Sequence, residues 1–77
     1  MAWKEYRDVV AILQRHDRRF EVHLKRGKGS HRMLMHPDVQ GRKRHYPVPY
    51  HGAKTPIAPG MLREIVRVFE LPEDLFD

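Results

Sequence analysis

Apolar residues recur with a helical period at both ends of this chain and with a strand period between them. The first repeat predicts a helix over residues 3–15, and the second, which follows Pro59, predicts a helix over residues 59–70. Each predicted helix has one apolar face that must be covered, and this requirement limits the fold more than any other feature. The apolar residues are Trp3, Tyr6, Val9, Val10 and Leu13 in the first repeat, and Leu62, Ile65, Val66 and Phe69 in the second.

Three segments between these helices alternate apolar and polar residues, which predicts β-strands over residues 20–25, 31–36 and 42–48. Glycines in the segment 26–30 predict a tight reversal, and residues 37–41 predict a second one. Pro47 predicts that the third strand ends there or lies at a sheet edge. In the second strand both alternating sets contain apolar residues, so the period does not say which set faces the core.

The predicted element order is therefore α-β-β-β-α in a single domain spanning residues 1–77. The simplest way to bury both helical faces is an α+β fold, with a three-stranded antiparallel sheet that carries both helices on one face. Double-stranded-RNA-binding domains have this topology. A shared fold alone does not establish a shared function.

The composition excludes several classes of protein. The chain has no cysteine, so it forms neither disulfides nor thiolate metal sites. It has no apolar run near the ~18 residues of a membrane span, and its start lacks the apolar region of a signal peptide. We expect a cytoplasmic protein with no membrane partner.

Positive charge is concentrated in the middle of the chain. Residues 15–45 hold ten lysines and arginines against three acidic residues, whereas the net charge of the whole chain is +5. Such a concentrated positive charge predicts binding to a polyanion, with nucleic acid favoured and an acidic partner protein next. A charged surface that contacts only solvent is the simplest alternative.

Gly29, Ser30 and His31 stand at the end of the first reversal, inside this basic region. Histidine exchanges protons near neutral pH because its unperturbed pKa is about 6.5. An imidazole behind a flexible turn and among cations suggests chemistry on a phosphodiester. A histidine at the end of a strand, bonded to a backbone carbonyl, is the structural alternative.

Four short motifs occur in order along most of the chain, and together they resemble the HicA toxins of bacterial toxin–antitoxin pairs. They are Lys28-Gly29-Ser30-His31, His36-Pro37-Asp38, Val48-Pro49-Tyr50-His51-Gly52, and the run from Ile57 through Pro59-Gly60 to Ile65. The resemblance implies a small ribonuclease with a fold like that of double-stranded-RNA-binding domains, in which His31 is the catalytic histidine. The chain departs from the family at Arg19, before the first strand, and at Glu70, after the last helix, where glycine is common.

The same resemblance implies an mRNA substrate and a cognate HicB-type antitoxin, with which the chain would form a hetero-oligomer. His31 is then the general acid or base, and His36 and His51 are candidates for a second proton carrier. We expect no cofactor, and no metal, because the zinc-site spacings H-x-x-x-H and H-E-x-x-H do not occur. The expected RNA contacts are Lys28, Gly29, Ser30, Arg32, Arg42, Lys43 and Arg44.

These observations lead to one main hypothesis and two alternatives. The main hypothesis is a metal-independent endoribonuclease, an mRNA interferase toxin of a type II toxin–antitoxin system. The first alternative is a non-catalytic RNA-binding module with the same fold and basic surface. The second is a domain whose positive charge binds an acidic protein.

Overall fold

A computed structural model describes residues 1–24 and 31–77 of the protein. The predicted reversal at 26–30 lies outside the described residues. No helix in the described part of the chain is long and apolar enough to cross a membrane. In chain order the elements are β1 (Lys4–Glu5), α1 (Tyr6–His16), β2 (Glu21–Leu24), β3 (His31–Val39), β4 (Arg42–Pro49), β5 (Pro56–Ile57) and α2 (Pro59–Phe69).

The main sheet is antiparallel with the strand order β2-β3-β4, which confirms the predicted α+β fold. Its inner face carries Leu34 and Val48, each 1% exposed, and packs against both helices. Because alternate residues of a strand lie on opposite faces, the neighbours of these residues form the other face. We call this other face, which no described helix covers, the open face. Its residues are Glu21 and His23 in β2, His31, Met33 and Met35 in β3, and Lys43, His45, Pro47 and Pro49 in β4.

The first helix begins later than residue 3, and the prediction that Trp3 lies in the core is wrong. Trp3 is 63% exposed, and α1 begins only at Tyr6. Lys4 and Glu5 instead pair with β5, and the Tyr6 N–H donates to the Thr55 carbonyl at 2.8 Å. This pairing keeps the backbone extended through Glu5, so the helical period of the sequence extends further than the helix itself.

The reversal predicted over residues 37–41 is in fact a tighter turn. Strand β3 continues to Val39, with an irregular register between His36 and Val39 that places two residues opposite one. Such a bulge accommodates Pro37 because the extra residue need not donate to the ladder. Gln40 and Gly41 then turn the chain with positive φ angles of 51° and 83°, typical of a two-residue hairpin turn.

Strand β4 and helix α2 lie close to their predicted positions. Strand β4 extends one residue past Val48 and is an edge strand, as Pro47 predicted. Helix α2 begins at Pro59 and ends at Phe69, one residue earlier than predicted. It ends there because Glu70 adopts the left-handed conformation, with φ 51° and ψ 51°.

Candidate functional site

The proposed catalytic histidine is exposed at one end of the open face. His31 is the first residue of β3 and pairs with Pro49 of β4. Three of the expected RNA contacts, Lys28, Gly29 and Ser30, lie outside the described residues. The structure therefore places His31 where a ligand on the open face can reach its ring.

A second histidine lies on the same face, one strand away. His23 in β2 pairs with Met33, so it is the diagonal neighbour of His31. Its Nε2 lies 2.8 Å from Oε1 of Glu21, and both side chains are about half exposed. Nothing in the sequence marked His23 as a site residue, since it is only one of the polar residues in an alternating segment. Only the register of β2 against β3 shows its relation to His31.

Arg32, expected beside His31 as a phosphate contact, lies on the opposite face of the sheet. Its guanidinium carbon stacks 3.5 Å from the ring centroid of Tyr50 and 5.8 Å from that of Tyr6. Its Nη1 also donates to the Tyr6 hydroxyl at 3.5 Å. These contacts hold Arg32 against Tyr6 at the start of α1, so the structure does not bring its charge together with the imidazole of His31.

The other expected RNA contacts lie at the far end of the main sheet. Arg42 and Lys43 are exposed in β4 beside the hairpin turn, and Arg44 is half-buried. Lys43 lies about six residues along β3 from His31, which is about 20 Å at the rise of a strand. A ligand that contacts both His31 and Lys43 must therefore run along most of the sheet.

His36, one of the two candidates for a second proton carrier, is buried under the helices with 4% exposure. Its Nδ1 accepts a hydrogen bond from the Asp38 N–H at 3.0 Å. Its Nε2 therefore carries the proton and donates to Oδ2 of Asp17 at 2.8 Å. These contacts fasten the end of α1 to β3, on the face opposite His31.

Asp17 is the acceptor at the centre of a partly buried network, in which only the His36 side chain is fully buried. Its carboxylate receives hydrogen bonds from the side chain of Arg19, from the Arg19 backbone N–H at 2.9 Å and from His36. These hydrogen bonds stabilise the charged form and hold the pKa of Asp17 well below its ordinary value. The same pairing raises the pKa of Arg19.

His51, the other candidate, is exposed in the loop that follows β4. It lies two residues beyond Pro49, the cross-strand partner of His31, and so lies near the same end of the sheet. Its backbone N–H donates to Oγ1 of Thr55 at 2.7 Å, and Thr55 donates to the Gly52 carbonyl. The loop is therefore held by its own hydrogen bonds, while the His51 side chain stays accessible.

Among the described residues, His23, His31 and His45 lie on the open face, whereas His36 is buried on the helical side of the sheet. Within residues 1–24 and 31–77, no group of three or more histidine, aspartate or glutamate side chains is arranged to hold a metal ion. What the open face offers is exposed imidazole at one end and the exposed side chain of Lys43 at the other, whereas Arg42 and Arg44 alternate with Lys43 and lie on the side of Val48. This arrangement can bind an extended polyanion and exchange protons with it.

Comparison with known proteins identifies the family. A family model described as the HicA toxin of bacterial toxin–antitoxin systems matches residues 6–71, from the start of α1 to just beyond the end of α2. Neither the curated proteins nor the solved structures gave a match. The match includes every element of the main sheet and both helices, together with the sequence Gly29-Ser30-His31. Because it extends over most of the 77 residues, the chain belongs to the HicA family of toxins from bacterial toxin–antitoxin pairs.

Proposed function

We propose that this protein is a metal-independent endoribonuclease that cleaves mRNA, with the imidazole of His31 carrying a proton in the reaction. The observation that supports this most is the position of His31, exposed on the open face of a chain that belongs to a family of toxins. A strand of RNA can approach the open face, because no described helix covers it.

RNA suits this site because it brings its own nucleophile, the 2′-hydroxyl. A protein that cleaves it has to move two protons and stabilise the charge that develops on the phosphate. An exposed imidazole can accept the 2′-hydroxyl proton near neutral pH. Neither step requires a metal ion.

The path of the RNA follows from the distribution of charge. Lys43 and Arg42 are exposed at the hairpin end of the sheet, about 20 Å from His31 along the strand. A single strand lying along the open face would place its phosphates near both ends at once. We therefore assign Lys43 to binding at a distance from the cleaved bond, because Arg42 alternates with it and lies on the opposite face of the sheet. Lys28, Gly29 and Ser30 remain proposed contacts beside it.

Two proton transfers are easier with two carriers, and the second carrier must reach the same phosphate as His31. His36 is buried on the opposite face and donates to Asp17, so its geometry disfavours this role. His51 is exposed near the same end of the sheet as His31, so it is better placed than His36 to reach the same phosphate.

The partner we propose is a cognate HicB-type antitoxin that forms a hetero-oligomer with the toxin in the cytoplasm. An antitoxin that covers the open face would block access of RNA to His31. The +7 charge of residues 15–45 favours an acidic surface on that partner.

The test is cleavage of a single-stranded RNA by the purified protein in the presence of EDTA. We expect multiple cleavages, and we expect growth arrest when the protein is expressed alone in bacteria, relieved by the cognate antitoxin. RNA that is bound and stays intact would contradict the proposal and favour a non-catalytic RNA-binding module. Absence of RNA binding would favour a domain that docks an acidic protein.

A further inference from the structure

We propose that His23, oriented by Glu21, is the second proton carrier, the general acid that protonates the 5′-oxygen leaving group. This inference rests on the proposed function, in which His31 removes the proton of the 2′-hydroxyl. It assigns a chemical role to a pair of side chains that belongs to none of the motifs shared with the HicA family.

The position of His23 suits a general acid that acts on the opposite side of a phosphate from His31. In the main sheet His23 lies opposite Met33, and His31 lies two residues from Met33 on the same face. Diagonal neighbours of this kind in an antiparallel pair are about 7–8 Å apart, which long or aromatic side chains can span. The attacking and leaving oxygens lie on opposite sides of phosphorus, roughly in line with it. Two imidazoles separated by this distance can flank one phosphate without contacting each other.

Glu21 prepares His23 for the role of an acid. The two side chains lie on the same face because they are two residues apart in β2, and Nε2 of His23 lies 2.8 Å from Oε1 of Glu21. The carboxylate accepts a hydrogen bond from the Nε2–H and stabilises the positive charge of the doubly protonated ring. Nδ1 then remains to donate a proton toward RNA on the open face. Glu21 contacts no substrate in this scheme and is a positioning residue.

The other described histidines fit this role less well. His36 is buried on the helical side of the sheet. His45 pairs with Met35, four residues along β3 from His31, which is about 13 Å at the rise of a strand. His51 lies near His31, but among its described contacts no carboxylate supports its ring. Of these residues, only His23 combines a place beside His31 with a paired carboxylate.

The reaction balances with these two groups alone. His31 takes the proton from the 2′-hydroxyl while the 2′-oxygen forms its bond to phosphorus. The bond from phosphorus to the 5′-oxygen breaks, and Nδ1 of His23 gives its proton to that oxygen. The products are a 2′,3′-cyclic phosphate and a free 5′-hydroxyl. Proton exchange with water then returns both rings to their starting states.

The test compares two RNA substrates that differ only in the leaving atom. One has the natural 5′-oxygen at a single cleavage site, and the other has a bridging 5′-sulfur, which leaves without needing a proton. We expect His23→Ala to lower cleavage of the oxygen substrate by about 10²–10⁴-fold and to leave the sulfur substrate within about tenfold of wild type. Glu21→Gln should give a smaller loss with the same dependence on the leaving atom. His31→Ala should be slow on both substrates.

His16→Ala is the matched control, because His16 is an exposed histidine at the end of α1 on the helical side, and it should cleave both substrates like wild type. Circular dichroism and an RNA affinity for each variant verify folding and binding. A His23→Ala protein that cleaves the oxygen substrate at the wild-type rate overturns the inference, as does an equal loss on both substrates. A leaving-atom dependence in His51→Ala instead would assign the acid to His51. If wild type cleaves neither substrate, the proposed function itself fails, and the inference with it.

Discussion

Replacing Asp17 by alanine should destabilise the fold through the partly buried network at the end of α1. The substitution removes the acceptor of the His36 Nε2–H, whose side chain is only 5% exposed. A buried donor left without a partner costs about 1–3 kcal/mol. The lost pairing with Arg19 adds little, because the Arg19 side chain is largely exposed and solvent screens its charge. We therefore expect the free energy of unfolding to fall by about 1–3 kcal/mol.

The pH dependence of this effect follows from the low pKa of Asp17 in the folded state. In the unfolded chain the group binds a proton near its ordinary pKa of about 3.9, whereas in the folded state it stays charged to lower pH. Its stabilising contribution is therefore complete above about pH 5 and is lost as the pH falls toward the folded pKa. Between pH 5 and pH 3 the difference between wild type and Asp17→Ala should shrink by about 1.2 kcal/mol.

Urea unfolding followed by circular dichroism at pH 5 and pH 3 measures both quantities. Asp74→Ala, which removes an exposed carboxylate from the turn near the C-terminus, is the control and should change stability by less than about 0.5 kcal/mol. A loss below 0.5 kcal/mol for Asp17→Ala at pH 5 would refute the role of the network. An unchanged difference between the two pH values would refute the assignment of the acid sensitivity to Asp17.

Two further predictions concern the helix end and the RNA surface. Glu70→Gly should raise the free energy of unfolding by about 0.5 kcal/mol in thermal or urea unfolding, because glycine adopts the left-handed conformation of this residue without strain. Glu70→Ala keeps the strained backbone conformation and should not raise the free energy of unfolding. Equal stability of the glycine and alanine variants would therefore contradict this explanation. Lys43→Ala should weaken RNA binding, and it should make the negative slope of log affinity against log salt shallower by about 1. Arg63→Ala on α2 should change neither the affinity nor the slope. An unchanged slope in Lys43→Ala would place the RNA elsewhere.

Most of the fold could be predicted from the periods of the sequence. Helix α2 and the edge position of Pro47 follow directly from the spacing of apolar residues and the chemistry of proline. The start of α1 could not be predicted from the spacing of apolar residues, because it depends on the pairing of Lys4 with Ile57, which are distant in the sequence. A helical spacing that includes Trp3 carries no information about such a partner.

The candidate site was harder to predict than the fold. His31 stands out through its motif, but both alternating sets of β3 contain apolar residues, so its face was undetermined until Leu34 was placed in the core. That Arg32 cannot share this face follows from the two-residue period of any strand. The nearness of His23 to His31 depends on the register between β2 and β3, which local sequence does not encode.

The central claim is that His31 transfers a proton and that the protein cleaves RNA through it. The most direct measurement pairs a single-turnover cleavage rate with an RNA affinity for folded His31→Ala protein, in EDTA. We expect cleavage to fall by about 10²–10⁴-fold while RNA affinity stays near that of wild type. Full activity in His31→Ala would contradict the claim, and a parallel loss of affinity and cleavage would make His31 a binding residue.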